Sequence, residues 1–299
     1  MVMAQKVRHK GDDRSLLGPT KRLLRRLDLR ARKGLGQHFL VDEGVLKTIA
    51  EAAELGGSDV VVEVGPGLGV LTAELARRAG WVVAVELDAA LATALKQTLV
   101  SAGNVSIVNQ DILGTDPAAL LKQAPLFSGS PSGYKVVANL PYYITAAVLR
   151  HFLETPLKPG LMVVMVQKEV AETIVASSGR MSLLSISVHF YGKPEIVSYV
   201  PARCFYPSPE VDSAILRITP YPRPAVAVSD VAGFFRLVRA GFAAPRKQLA
   251  NSLAQGLGTD KAGALLLLEG AGIAPERRAE TLTLEEWAKL WRVFSRAGE

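Results

Sequence analysis

Three features are scarce in this sequence of 299 residues, and each shortage excludes a class of protein. The single cysteine, Cys204, excludes a disulfide framework within the chain and indicates a reducing compartment. The four histidines are scattered without metal-ligand spacing, so we predict no metal site. No apolar run approaches the ~18 residues of a membrane-spanning helix, and no secretory pattern is present. With 49% hydrophobic residues, the composition predicts a globular cytoplasmic protein with no membrane partner.

Acidic residues are scarce at the N-terminal end, where the net positive charge is concentrated. The chain has a formal net charge of +7, yet residues 1–36 contain 11 Lys/Arg and 3 Asp/Glu, which leaves 24 against 25 for the remainder. In this basic arm Leu23, Leu24 and Leu27 fall on one face of a predicted short helix, with arginines on the others. We interpret the arm as a contact for an RNA backbone. A solvated tail is the alternative, and Asp12 and Asp13 disfavour an organelle transit peptide.

The middle of the chain alternates short β-branched runs with longer helical patterns, which is typical of βαβ units with a parallel sheet. Continuous apolar runs, expected where helices cover both faces of a sheet, predict parallel strands at residues 60–64, 81–86, 105–109, 134–138 and 161–167. Helical patterns lie near residues 70–79, 89–101, 116–123, 145–153 and 168–176. A turn-rich segment at residues 126–133 predicts an exposed loop.

Beyond residue 179 the pattern changes twice. Strand-like stretches predict antiparallel additions to the sheet at residues 182–190, 195–200 and 214–219. After a proline-rich linker the remainder reads as helical, with a core face formed by Trp287, Leu290, Trp291 and Phe294. We therefore predict a basic arm, a ligand-binding α/β domain and a small helical domain, at residues 1–36, 37–220 and 225–299.

A compact glycine loop follows the first predicted strand of the sheet. Gly65, Gly67 and Gly69 permit a tight turn and the close approach of a ligand to backbone N–H groups. The G-x-G-x-G spacing is tighter than the dinucleotide pattern and suits an amino-acid tail rather than a pyrophosphate. A glycine turn that serves only the packing of helix on strand is the alternative.

Acidic residues at the next two strand ends complete a site for an adenosine-containing ligand. Glu86 lies near the offset of ~20 residues at which a carboxylate accepts both ribose hydroxyls, and we assign Leu87 to the same site. Asp111 follows the third strand and can accept a hydrogen bond from an adenine amine, with Ile112 packed beside the ring. A helix cap is the alternative for Asp111. We predict S-adenosyl-L-methionine, which has an adenosine end and an amino-acid end, as the cofactor.

Asn139-Leu-Pro-Tyr directly follows the fourth strand, at the edge of the sheet where open α/β folds bind ligands. An adenine amine is a poor nucleophile because its lone pair is delocalised into the ring. The Asn139 side-chain oxygen and the Leu140 carbonyl, fixed by Pro141, can hold the amine hydrogens and favour a pyramidal nitrogen. Tyr142 and Phe205 offer rings on which an extruded base can stack, with core aromatics as the alternative.

These segments, in this order, closely resemble the KsgA/RsmA family of rRNA adenine dimethyltransferases over residues 33–292. Gly36-Gln-His-Phe-Leu is similar to the Gly-Gln-Asn-Phe-Leu signature of that family, which implies that His38 and Leu40 line the cofactor pocket. His38 stands where Asn is commoner. The resemblance also implies an indirect role for Glu63, base stacking by Tyr142 and Phe205, and cofactor contacts at Gly65, Glu86, Asp111 and Asn139.

The resemblance weakens in the C-terminal part. The segment from Pro245 to Leu253 is similar to a more basic family segment, and fewer positive charges remain here. Arg246 and Lys247 are therefore either phosphate contacts or part of a solvated helix face.

The resemblance implies a Rossmann-like class I S-adenosylmethionine-dependent methyltransferase domain plus a small all-α C-terminal domain. It implies a monomer that dimethylates two adjacent adenosines in a hairpin near the 3′ end of 16S rRNA, in the small ribosomal subunit or its assembly precursor. Two alternatives stay open. Relatives of the antibiotic-resistance type modify one adenine of large-subunit rRNA, and other relatives bind nucleic acid without catalysis. The Asn139 motif and the proline-rich Phe205 segment favour the first function.

Overall fold

The computed structural model describes residues 15–32, 34, 36–127 and 133–297, which form two compact units. The first comprises the described residues of 1–171 and 194–220, and the second those of 172–193 and 221–299. Much of the basic arm, including Asp12 and Asp13, and most of the loop predicted at residues 126–133 lie outside the described residues.

Nine strands and twelve α-helices make up the described structure. The strands are β1 (Phe39–Leu40), β2 (Val60–Val64), β3 (Trp81–Glu86), β4 (Val105–Asn109), β5 (Tyr134–Asn139), β6 (Leu161–Gln167), β7 (Gly192–Val200), β8 (Phe205–Tyr206) and β9 (Ser213–Pro220). The helices are α1 (Leu17–Arg26), α2 (Glu43–Ala52), α3 (Val70–Ala76), α4 (Ala89–Thr98), α5 (Pro117–Leu121), α6 (Thr145–Glu154), α7 (Lys168–Ile174), α8 (Leu183–Tyr191), α9 (Val231–Gly241), α10 (Leu249–Leu257), α11 (Lys261–Gly270) and α12 (Leu284–Ala297).

Seven strands form one sheet in the order β4-β3-β2-β5-β6-β9-β7. The five strands from β4 to β6 run parallel, as predicted, and β9 pairs antiparallel with β6. The chain order reverses beside β2, because β3 and β5 lie on its two sides. In open α/β sheets ligands bind at such a reversal, outside the carboxyl ends of the strands. The remaining two strands, β1 and β8, form a separate antiparallel pair.

Packing on both faces explains why the central strands read as continuous apolar runs. Every residue of β2 is buried, including Glu63. One core cluster combines Val61 of β2 with Ile49 of α2, Leu75 of α3 and Val163 of β6. Burial of each aliphatic side chain of this size contributes about 1.5 to 3 kcal/mol to the free energy of unfolding. This core therefore stabilises the sheet from which the loops of the carboxyl edge begin.

Aspartates that follow strands or turns start the next helices. Asp42 accepts a hydrogen bond from the Val45 N–H at 3.0 Å, and Asp88 accepts one from the Ala90 N–H at 3.0 Å. These side chains satisfy backbone donors that the first helical turn leaves unpaired. The caps at α2 and α4 set where these helices start beside the carboxyl edge of the sheet.

The strand predicted at residues 182–190 is wrong, because this segment forms α8 in the second unit. Ser182 and Ser185 exchange hydrogen bonds in a capping box that starts the helix. Phe190 then packs against Phe234 and Phe235, with ring centroids 5.3 and 5.2 Å away. The predicted strands at residues 195–200 and 214–219 are confirmed by β7 and β9.

Burial supports the apolar faces predicted for the C-terminal helix and for the N-terminal helix. In α12, Trp287, Leu290 and Trp291 are buried in the second unit, while Phe294 is half-buried. In α1, Leu24 is buried and Leu23 is half-buried, so the apolar face of the predicted N-terminal helix is present. No helix in the described part of the chain is long and apolar enough to span a bilayer.

We expect Gly69→Ala to lower the free energy of unfolding by about 1 to 3 kcal/mol. Gly69 has φ +80°, and a Cβ there would lie 2.7 Å from Leu95 Cδ2. Urea unfolding measures the change. Gly103→Ala is the matched control, since its Cβ would meet nothing within 4 Å. Equal stability of the two variants would contradict the steric argument.

Candidate functional site

A cavity of about 360 Å³ opens at the carboxyl edge of the sheet, beside the reversal at β2. This volume is typical of small-molecule sites. The loops after β2, β3, β4 and β5 and the segment 36–40 form its wall. All the residues that the sequence assigns to the cofactor line this cavity: His38, Leu40, Gly65, Gly67, Glu86, Leu87, Asp111, Ile112 and Asn139.

The glycine loop lies close to Phe39 and Pro141, so a side chain on the loop would fill the space between them. Gly65 and Gly67 have φ values of +66° and +59°. A Cβ on Gly67 would lie 3.3 Å from the Phe39 ring, and one on Gly65 would lie 3.6 Å from Pro141 Cδ. The loop thus presents backbone, not side chains, to the cavity, which suits close contact with a ligand.

Glu86 is a buried carboxylate that organises the loop beside it. Its Oε2 accepts the Gly67 N–H at 3.1 Å and its Oε1 accepts the Asp88 N–H at 2.9 Å. Burial raises the pKa of Glu86, and these backbone hydrogen bonds oppose the shift. Because each carboxylate oxygen accepts more than one hydrogen bond, Glu86 can still receive the two hydroxyls of a ribose.

Glu63 is a second buried carboxyl group in the cavity wall. Within the described structure its Oε2 has no hydrogen-bond partner. Burial raises the pKa of Glu63 to about 8, with a smaller contribution from the charge of Glu86, while Thr72 opposes the shift. The side chain is therefore mainly neutral at pH 7 and can donate a hydrogen bond.

The part of the cavity wall that Leu87 and residues 111–113 form suits a flat heterocycle. Asp111 caps the short 3₁₀ turn after β4 by accepting the Leu113 N–H through Oδ1 at 3.0 Å. The cap that the sequence left as an alternative is therefore present, and Oδ2 is the oxygen that a ligand amine can reach. Leu87 and Leu113 line the cavity yet are 51% and 37% exposed. Such exposed apolar side chains can cover the faces of an adenine ring.

The part of the cavity wall that follows β5, which we call the transfer end, contains the Asn139 motif. Asn139 Nδ2 donates to the His38 carbonyl at 3.0 Å, so the amide nitrogen is held by the protein and Oδ1 is the atom left for a ligand. The Leu140 N–H donates to the Met165 carbonyl of β6 at 3.1 Å, which fixes the motif to the sheet. Pro141 has φ −58° and ψ 128°, and its ring disfavours helical backbone angles at Leu140.

Tyr142 is held between the Asn139 motif and neighbouring segments. Its hydroxyl lies 2.7 Å from Ser213 Oγ, and its ring stacks on His38 with centroids 5.9 Å apart at 23°. His38 Nδ1 in turn lies 2.7 Å from the Pro207 carbonyl, to which it donates in its Nδ1–H form. Burial raises the pKa of Tyr142, so the hydroxyl stays protonated and the ring serves as a fixed, neutral surface.

Phe205 is not among the residues that line the cavity, and its predicted role in base stacking stays a prediction. The side chain is 3% exposed and lies in the core cluster with Cys204 and Ile215. Its backbone pairs with Leu40 in the β1–β8 pair. In this structure Phe205 is packed as a core aromatic, in the same cluster as Leu40 of the cavity wall. Burial raises the pKa of the Cys204 thiol to about 11, which disfavours a nucleophilic role for it.

Sequence reasoning missed several residues that shape the cavity. Gln37 Nε2 donates to Asp88 Oδ2 at 3.3 Å, and Arg32 Nη1 lies 3.3 Å from the same oxygen. Tyr143 lines the mouth of the cavity and is 59% exposed. The signals were the position of Gln37 inside the Gly36 motif and the doubled tyrosine after Pro141, whereas Asp88 belongs to no motif. In the described part of the chain, no group of three His, Cys, Asp or Glu residues could hold a metal ion.

Comparison with known proteins gives a consistent result. The family described as ribosomal RNA adenine dimethylase matches residues 28–295. A ribosomal RNA small subunit methyltransferase A of Dehalococcoides mccartyi is 56% identical over 283 residues, which cover 94% of each chain. Its counterpart in Moorella thermoacetica is 46% identical over 93% of this chain and 97% of the relative.

Solved structures share the fold. A dimethyladenosine transferase from Plasmodium falciparum has a TM-score of 0.71 and 25% identity, and the match covers 87% of this chain and 98% of that one. The 23S rRNA methyltransferase ErmE has a TM-score of 0.65 and 30% identity over 86% and 99% of the two chains. The fold is therefore shared by a protein named as a dimethyladenosine transferase and by one named for 23S rRNA.

The reversed parallel sheet, the glycine loop and the acidic strand ends together define a class I S-adenosylmethionine-dependent methyltransferase. Within that class, the chain belongs to the ribosomal RNA adenine dimethylase family.

The raised pKa of Glu63 predicts that stability falls as pH rises. Between pH 4.5 and about pH 8 the folded protein keeps the Glu63 proton, whereas the unfolded chain, with a pKa near 4.5, has released it. The contribution of Glu63 to the free energy of unfolding is therefore greatest below pH 4.5 and is lost by about pH 8. Glu63→Gln cannot titrate, and its stability relative to the wild type should therefore improve between about pH 5.5 and 8. Urea unfolding without cofactor at both pH values measures the difference. A constant difference would show that Glu63 does not hold the proton.

Proposed function

We propose that this protein transfers methyl groups from S-adenosyl-L-methionine to the exocyclic N6 amines of two adjacent adenosines near the 3′ end of 16S rRNA. It acts as a cytoplasmic monomer on the small ribosomal subunit or its assembly precursor, with a role in ribosome biogenesis. The observation that carries the proposal is the acceptor arrangement at Asn139. Its amide nitrogen donates to the His38 carbonyl, which leaves Oδ1 to accept from a substrate amine beside Tyr142.

The relatives support the small subunit as the substrate. The relatives that are 56% and 46% identical over most of the chain are named for the small subunit. ErmE, named for 23S rRNA, is 30% identical. The dimethyladenosine transferase from Plasmodium falciparum supports two methyl groups on one adenine.

The cavity suits the proposed cofactor, which supplies an electrophilic methyl group when bound. The glycine backbone of Gly65 and Gly67 can approach the amino-acid end, and Glu86 can accept the ribose hydroxyls. Asp111, Ile112 and the exposed Leu87 suit the adenine end. His38 and Leu40 close the wall from the N-terminal side.

The Asn139 motif would activate the amine by orientation. Asn139 Oδ1 and the Leu140 carbonyl each accept one N6 hydrogen, which turns the lone pair out of conjugation with the ring. Both are neutral amide oxygens and poor bases, so they do not remove a proton. In the transfer the nitrogen would gain a bond to the methyl carbon as the carbon–sulfur bond of the cofactor breaks and the neutral thioether leaves. The nitrogen, then cationic, would release its proton to solvent. Catalysis is thus positioning and electrostatics without a covalent enzyme intermediate.

The same acceptors can serve the second transfer. After one methylation N6 retains a single hydrogen, so one of the two acceptors still holds it. Tyr142 provides the stacking surface for the extruded base in both transfers, and its hydroxyl bond to Ser213 keeps the ring in place.

Two variants should separate cofactor binding from transfer. Asn139→Ala should lower kcat by about 10² to 10³-fold, because it removes an acceptor for the amine. It should raise the Kd of S-adenosylmethionine much less than Glu86→Ala does, because the other residues assigned to the cofactor are intact. Glu86→Ala should raise that Kd by about 10-fold or more, because charged hydrogen bonds contribute roughly 1.5 to 3 kcal/mol. Calorimetry and single-turnover methylation measure the two quantities.

The matched control for Asn139 is Asn104→Ala. Asn104 also donates its amide to backbone carbonyls, those of Ala76 and Ala79, but it does not line the cavity. It should keep normal kcat. Normal turnover in Asn139→Ala would remove the acceptor argument.

Methylation of isolated ribosomal subunits tests the substrate. We expect labelled methyl groups on small subunits from cells that lack this modification, at two adjacent adenosines that are each dimethylated. Label confined to large subunits would instead identify the antibiotic-resistance activity. Binding to either subunit without any label would identify a non-catalytic relative.

A further inference from the structure

Helix α1 packs one face against the wall of the cavity. Leu24 is 7% exposed and shares a buried cluster with Phe39, Leu68 and Leu91. These three partners all line the cavity. Leu23 adds further apolar contact at the edge of the cluster. The inner face of α1 therefore supports the cavity wall from behind.

Both ends of the α1 segment are attached to the same unit. Before the helix, the Leu16 N–H donates to the Val41 carbonyl at 2.8 Å. After it, Arg32 Nη1 lies 3.3 Å from Asp88 Oδ2, which also accepts from Gln37. The Asp88 N–H donates to Glu86 Oε1, so the segment that follows α1 is connected to the proposed ribose carboxylate through one intermediate residue.

The outer face of α1 has the opposite character. Arg22, Arg25, Arg26 and, just beyond the helix, Arg30 are exposed. Residues 15–32 contain six basic residues and one acidic residue, Asp28. Within the described residues none of these four arginines forms an ion pair with a carboxylate. Arg22, Arg25 and Arg26 are neighbours at i, i+3 and i+4, so their charges repel one another unless an anion lies between them.

Through Lys21, α1 also contacts the segment that leads to Tyr142. On the same helix Lys21 Nζ lies 4.9 Å from the centroid of the Tyr206 ring. The next residue, Pro207, receives the hydrogen bond from His38, and His38 stacks on Tyr142.

We propose that α1 is an RNA-docking element whose arginine face binds backbone phosphates beside the target adenosines while its leucine face supports the cofactor cavity. This inference rests on the proposed function. Guanidinium groups bind phosphates through paired hydrogen bonds, and a rigid helix holds them at fixed spacing. RNA docking and cofactor binding are thus connected through one helix.

Two variants separate the faces. The arginine variant combines Arg22→Gln, Arg25→Gln and Arg26→Gln. Its affinity for small subunits should fall. The magnitude of the slope of log affinity against log salt concentration should decrease by about 2 to 3, because each of the three arginines that neutralises a phosphate releases about one counterion. Its Kd for S-adenosylmethionine should not change. The leucine variant, Leu24→Ala, should weaken S-adenosylmethionine binding by roughly 10-fold through the cavity left behind the wall and leave the salt slope unchanged.

The matched control removes three charges elsewhere in the same unit. Lys47, Lys96 and Lys122 are exposed, on α2, on α4 and directly after α5, and their triple change to Gln lowers the net charge equally. If the arginine variant and the lysine control had the same salt slope, the change in the salt dependence of binding would come from overall charge alone. This result would overturn the docking role of α1. Unchanged cofactor affinity in a folded Leu24→Ala protein would overturn the supporting role.

Hydrogen exchange tests the supporting role even if Leu24→Ala does not fold. In the wild-type protein, saturating S-adenosylmethionine should slow amide exchange in residues 20–27, because it stabilises the wall on which α1 packs. Unaltered exchange there would contradict the connection. If the wild-type protein bound but did not methylate small subunits, the proposed function would fail while the α1 variants would still report on RNA docking.

Discussion

The two oxygens of the buried Glu86 carboxylate each accept a backbone N–H, one from Gly67 and one from Asp88. The first bond sets the glycine loop after β2, and the second sets the start of α4, whose cap is Asp88 itself. Asp88 then binds Gln37 and Arg32 of the N-terminal segment. Two carboxylates in series, Glu86 and Asp88, therefore connect the glycine loop, the start of α4 and the N-terminal segment. Gly67, Glu86 and Gln37 of these segments line the cavity. The burial of Glu86 makes its bonds stronger, since few water molecules compete for the oxygens.

The transfer end depends on a similar long-range bond. Asn139 donates to the carbonyl of His38, and this bond determines which atom of its amide remains for a substrate. His38 also fixes Tyr142 by stacking and is itself oriented by Pro207. The histidine that replaces the commoner asparagine therefore has a structural role in positioning the motif. Glu63, neutral because of its burial, completes the cavity wall without adding charge near a cationic cofactor.

Much of the α/β unit and its cavity was predictable because the signals are local. Valine-rich runs such as residues 60–64 are typical of central strands, and the glycines after them allow a turn that other residues resist. Chain order then brings Glu86, Asp111 and Asn139 to one edge, because parallel strands end on the same side. Residues 182–190 were not predictable in this way. Their alternation of serine with apolar residues fits a strand, and a capping box with aromatic packing in the second unit makes them a helix.

The sequence by itself determined the class of ligand, the edge of the sheet at which it binds and the residue types available for the chemistry, because these follow from short-range pattern and strand direction. Only the tertiary structure decided which aromatic ring reaches the cavity. Tyr142 lines it, whereas Phe205 is packed in the core cluster with Cys204 and Ile215. It also decided that α1 contacts the cavity wall. That contact depends on packing between Leu24 and residues as distant as Leu91, which no local pattern encodes.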